Sequence, residues 1–113
     1  MKLTRPVTVA ETQAFLRAAQ KIWSVEELAE LVDYIAHNPE DGDVVTGTGG
    51  VRKLRWGKAG TGNRGGARII YFYYNELCPL YLLLAYAKGQ ATDLTVEEKR
   101  AVAGFAEMIK NSK

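Results

Sequence analysis

The chain is poor in the residues that most often do chemistry. Its 113 residues include one cysteine and one histidine. Cys78 therefore has no internal disulfide partner, and one Cys with one His cannot assemble a metal centre of the zinc type. Cys78 sits in an apolar context before Pro79 and reads as a structural thiol. His37, just before Asn38-Pro39, reads as a cation complementing the C-terminal end of a helix. Long apolar runs are also missing. The longest, Pro79 to Ala87, is about half of what a membrane helix needs. The N-terminus lacks an apolar segment followed by a small-residue cleavage site. No membrane partner is expected, and the chain is expected in the cytoplasm. There are no repeats and no low-complexity tails.

Acidic residues are absent from one stretch in particular. Residues 47–74 carry six basic side chains (Arg52, Lys53, Arg55, Lys58, Arg64 and Arg68) and no Asp or Glu. Residues 1–46 carry four basic against eight acidic side chains, and residues 75–113 carry five of each. A block of one sign inside a chain of net charge +2 makes a local positive surface that attracts polyanions. The same region holds eight of the eleven glycines, between Gly47 and Gly66, so its backbone can approach a phosphate closely. The glycines do not form a nucleotide-binding loop. No Gly-Lys-Ser/Thr follows Gly62-Asn63-Arg64-Gly65-Gly66, and a strand rather than a helix comes next.

What is present suits one domain, residues 1–113, with 47% hydrophobic residues to bury a core without staples. Pro6 to Ala10 reads as a short strand. From Glu11 to Ile22 the apolar set Phe15, Ala18, Ala19 and Ile22 recurs at helical spacing. Ser24 with Glu27 makes a capping box that starts a second helix. Its apolar face is expected to be Val25, Leu28, Ala29, Val32, Ile35 and Ala36, and Asn38-Pro39 ends it. The segment Asp41 to Gly50 reads as turn and loop. Three strands follow, at Val51–Trp56, Ala67–Tyr74 and Leu80–Lys88, with short links that suggest an antiparallel meander. Thr95 with Glu98 makes a second capping box, and the last helix buries Val102, Phe105, Ala106 and Ile109. The expected fold is α+β in the order β-α-α-β-β-β-α. A mainly antiparallel sheet carries a helical hairpin on one face, and its other face stays partly open.

In the first of the three strands Lys53 and Arg55 share one face while Leu54 and Trp56 take the other. Arg68 opens the next strand, and Tyr86 and Lys88 share parity near the end of the last. Arginine forks and lysine point charges grip phosphates, and tyrosines stack unpaired bases, so this surface suits single-stranded RNA. Tyr71, Tyr73, Tyr74 and Tyr81, like Trp23 and Trp56, read instead as core aromatics. RNA brings its own nucleophile, the 2′-OH. Cleavage then needs in-line positioning, stabilisation of phosphorane charge and proton transfer. Cations supply the first two without a cofactor. The third falls to a lysine lowered in pKa by neighbouring cations or to a tyrosine, since no histidine or carboxylate base is apparent and the acidic residues read as caps and dipole partners at helix starts.

The runs "GTGGVRKLRWGKAGTGNRGGARIIYFYY" and "YLLLAYAKGQATDLTVEEKR" resemble the RelE superfamily of toxins, and within it the HigB-like branch. The resemblance covers roughly residues 35–110. It implies the toxin of a type II toxin–antitoxin system: a ribosome-dependent, metal-independent endoribonuclease that cuts mRNA in the decoding site and is neutralised by a cognate antitoxin, expected to be a HigA-like helix-turn-helix protein. By position, Arg68 resembles the arginine that stabilises the scissile phosphate. Lys53 and Arg55 resemble the preceding basic pair, Lys88 the lysine after the last strand, and Lys58 and Arg64 the basic residues of the loop, with Arg64 counted in the catalytic set as well. The chain departs from the pattern at Gly89, where relatives carry another basic residue, and at Leu94-Thr95, where they carry a tyrosine whose role falls to Tyr86. The alternative is a non-cleaving module on the same fold that only binds RNA, ribosome or antitoxin.

Overall fold

Each of the three helices starts on a hydroxyl that the sequence supplies. The computed structural model describes residues 5–56, 66–87, 89 and 94–112. Strand β1 (Val9–Glu11) leads into helix α1 (Gln13–Ile22), whose N-cap Thr12 accepts a hydrogen bond from the Phe15 N–H at 3.3 Å. The Thr12 hydroxyl also donates to the Leu82 carbonyl at 2.9 Å, so the cap fastens the helix to the sheet beneath it. Helix α2 (Val25–His37) opens on the expected capping box. The Glu27 N–H donates to Ser24 Oγ at 3.1 Å and the Ser24 N–H to Glu27 Oε1 at 2.8 Å. Helix α3 (Val96–Asn111) repeats the device with Thr95 and Glu98.

Strands β2 (Asp43–Val44), β3 (Val51–Trp56), β4 (Ala67–Phe72) and β5 (Leu80–Tyr86) complete a five-stranded sheet in the order β1-β5-β4-β3-β2. The expected meander is β3-β4-β5, antiparallel throughout. Two features differ from the sequence reading. The first strand is placed later than expected and pairs in parallel with β5, Val9 opposite Leu80. The segment read wholly as turn and loop contains β2, antiparallel to β3 with Asp43 opposite Lys53. Between them, the glycines at 47, 49 and 50 have positive φ and serve the turn. The buried Thr48 hydroxyl closes that turn by donating to the Val45 carbonyl at 2.6 Å and accepting from the Val51 N–H at 3.1 Å.

Strand alternation divides the apolar residues between two faces. One face packs Ala67, Ile69, Tyr71, Leu80, Leu82 and Ala85 against Phe15, Ala19, Ile22, Leu31 and Ile35 of the helical hairpin. The other packs Val51, Ile70, Phe72 and Leu83 against Val102 and Ala106 of α3. A register shift opposite Ile70 and Tyr71 inserts one extra residue in β5, which puts Leu83 and its neighbour Leu84 on the same face. On α2 the expected stripe holds at Leu28, Val32, Ile35 and Ala36 and differs at three positions. Leu31 is fully buried, whereas Val25 is 82% exposed and Ala29 is exposed as well.

Helix α3 does not cover its face evenly. Its first turn lies at the C-terminal end of β5, where the Tyr86 hydroxyl donates to Glu98 Oε1 at 2.8 Å. Its last turn reaches the β2–β3 turn, where Lys110 Nζ donates to the Gly49 carbonyl at 2.9 Å. Among the described residues, the diagonal leaves the corner formed by the end of β3 and the start of β4 without a helix above it.

Candidate nucleic-acid interface

The open corner holds the cations. Alternation along β3 sends Lys53 and Arg55 to the α3 face, while Leu54 and Trp56 pack with the helical hairpin. The register then sets Arg55 directly opposite Arg68, and Arg68 directly opposite Tyr86. Two arginines and a tyrosine thus form one row across three strands, with Lys53 one step along the same face. Like charges placed directly opposite each other in a sheet destabilise it. The Arg55–Arg68 pair therefore disfavours the fold unless an anion lies over it.

A hollow of about 620 Å³ opens at this corner, lined by Asp41, Asp43, Lys53, Leu54, Arg55 and Arg68. Arg68 is half-buried, and its Nη1 donates to the Gly66 carbonyl at 3.1 Å. That bond holds one edge of the guanidinium fork close to the strand. Arg55 is exposed. Such a surface binds phosphate oxygens by charge-assisted hydrogen bonds.

Of the residues picked from sequence, Arg68, Lys53, Arg55 and Tyr86 are brought together on one face. Tyr86 does not line the hollow. It stands beside Arg68 with its hydroxyl committed to Glu98, so the carboxylate that caps α3 also fixes this ring. The Glu98 carboxyl is held below its usual range, chiefly by the Thr95 backbone N–H and further by the Tyr86 hydroxyl. Lys58, Arg64 and Lys88 lie outside the described residues. His37 is the last residue of α2, its Nδ1 2.9 Å from the Asp33 carbonyl and 3.7 Å from the Asp33 carboxylate, at the helix end where the sequence placed it. Cys78 is buried. Trp23 and Tyr71 belong to the core as read, and Trp56 packs on Tyr34 with ring centroids 4.9 Å apart. Tyr74, by contrast, is 41% exposed.

The expectation that the acidic residues serve helix starts fails at Asp41 and Asp43, which border the hollow. Both precede the acid-free block in sequence, and it is the β2–β3 pairing that folds them back onto it. The glycines also divide. Gly47, Gly49 and Gly50 serve a turn at the far end of β3 from Arg55, away from the cations, while Gly57 to Gly65 lie outside the described residues.

No family model matches the sequence. The structure is similar to that of the E. coli toxin RelE, solved in the free state with two arginines replaced by alanine. The TM-score is 0.58 at 14% sequence identity, over 88% of this chain and 96% of that one. Among the described residues no helix is long and apolar enough to cross a membrane. The chain has the RelE-like α+β fold, with a cationic corner left open on the face that its C-terminal helix crosses.

Proposed function

We propose that the chain is the toxin of a type II toxin–antitoxin system, of the HigB-like branch, and that it cleaves mRNA on the ribosome. The observation that carries this reading is the row Arg55–Arg68–Tyr86 beside Lys53, on a part of the sheet over which no helix lies among the described residues. Arg68 and Arg55 grip the scissile phosphate and offset the charge of the phosphorane, and Lys53 holds a neighbouring phosphate. Lys58, Arg64 and Lys88 extend the grip along the strand. The chemistry needs no metal, because the attacking group belongs to the RNA. The ribosome supplies the in-line geometry of the message. A cognate helix-turn-helix antitoxin holds the toxin inactive, and the site of action is the cytoplasm.

The test is induction of the chain in cells beside an Arg68→Ala variant, with growth followed and transcript 5′ ends mapped. Growth arrest with new ends inside translated codons, both lost in the variant, is the expected result. Arrest with intact transcripts would replace the nuclease by a blocking module. Unimpaired growth would leave the RelE-like fold without this activity.

A further inference from the structure

The hollow has a second wall, and that wall is rigid. Three side chains brace the turn between α2 and β2. The Tyr71 hydroxyl, fully buried, donates to the Pro39 carbonyl at 2.8 Å and accepts from the Gly42 N–H at 2.9 Å. Arg52 Nη1 donates to the carbonyls of Glu40 at 3.0 Å and Gly42 at 2.7 Å. The Tyr34 hydroxyl donates to the Asp41 carboxylate. Gly42 admits no side chain, since a Cβ there would stand 2.9 Å from the Tyr71 ring and hydroxyl. A surface turn needs nothing so elaborate. What the brace delivers is the next residue, Asp43, paired opposite Lys53 on the rim of the hollow.

Among the described residues that line this hollow, lysine and arginine side chains only donate hydrogen bonds. The two aspartates are the ones able to accept a proton. Asp41 already accepts from Tyr34, and Asp43 projects from the strand edge, exposed. We propose that Asp43 is the general base of the cleavage. This rests on the reading of the chain as an RNA-cleaving toxin. The carboxylate removes the proton of the 2′-OH, the freed oxygen attacks phosphorus, and the bond from phosphorus to the 5′ oxygen breaks. A 2′,3′-cyclic phosphate remains, and the departing 5′ oxygen takes its proton from water. Arg55 and Arg68 hold the non-bridging oxygens while this happens.

The competing role for Asp43 is purely electrostatic, as a cross-strand partner that moderates Lys53. The two roles predict opposite effects of Asp43→Asn. The experiment measures single-turnover cleavage of mRNA on purified translating ribosomes, together with ribosome affinity, for the full-length wild type, Asp43→Asn and Asp43→Ala. A base predicts that Asp43→Asn lowers the cleavage rate by about 10²–10⁴-fold with affinity unchanged or tighter. It predicts that added formate partly restores Asp43→Ala. Cleavage by Asp43→Asn at or above the wild-type rate would overturn the proposal, as would loss of affinity in parallel with rate or absence of formate rescue. A wild-type chain that binds ribosomes and leaves the message intact would sink the nuclease reading as well, so the two failures are told apart by the wild-type lane.

Discussion

At the scale of single residues, the cationic corner is a place where function and stability oppose each other. Arg55 faces Arg68 across the β3–β4 ladder, and opposed like charges weaken a sheet by roughly 0.2–1 kcal/mol, less where water screens them. Arg55→Thr is therefore expected to raise the denaturant midpoint slightly while it weakens ribosome binding. Equilibrium unfolding beside a binding assay checks both signs. Tyr71 is the opposite case. Tyr71→Phe keeps the packing but leaves the Gly42 N–H and the Pro39 carbonyl without their partner, at an expected loss of about 1–3 kcal/mol in urea unfolding. Burial pushes the Tyr71 phenol up to about 12. The hydrogen bond to Asp41, more than burial, raises Tyr34 to about 12. In the unfolded chain both ionise near pH 10. Their contribution is thus whole below about pH 10 and disappears as pH rises from there to about 12. Stability measured against pH should fall over that window, with a shallower slope in Tyr71→Phe.

At the scale of elements, the two capping boxes look equivalent in sequence and differ in consequence. Ser24→Ala removes a cap from α2 and should cost about 1 kcal/mol of stability with cleavage unaffected. Glu98 caps α3 and also holds the Tyr86 hydroxyl, so Glu98→Ala should cost stability and cleavage together. Thermal melts paired with the ribosome assay distinguish the two variants. The sequence made the boxes, α1, α3 and the β3-β4-β5 meander legible, because each carries a local signal of capping or alternation. It did not show β2. Two residues flanked by glycine have no period, and the strand exists only because β3 lies beside it. The stripe of α2 differs in part for a related reason. Val25 and Ala29 fit helical spacing as well as Leu31 does, and only the docked sheet selects among them. With β2 unseen, Asp43 could not be brought to the candidate site, whereas parity put Lys53 and Arg55 on one face and the meander with the family resemblance set Arg68 beside them.

At the scale of the whole molecule, a net charge of +2 understates the local charge that the proposed RNA ligand would meet. Four of the eight acidic residues in the first 46 lie on α2, whereas Lys53, Arg55 and Arg68 gather on the opposite, α3-facing side of the sheet. Binding to single-stranded RNA should therefore weaken steeply with salt. Removing one phosphate contact, as in Lys53→Ala, should reduce the slope of log K against log salt by about 0.7. A salt titration of both proteins tests this.

The parallel strand β1 adds a matter of timing. Thr12 and its sheet partner Leu82 are separated by 70 positions, and α1 rests on β5 as well. Both N-terminal elements thus have no surface to settle on until the last strand has been synthesised. Closing so long a loop is slow compared with forming the meander. While the chain is still being made, its first two helices leave the exit tunnel with their apolar faces uncovered, and the braced aspartate turn cannot set until Tyr71 has emerged. A molecule built this way assembles its working face after its own synthesis is nearly over.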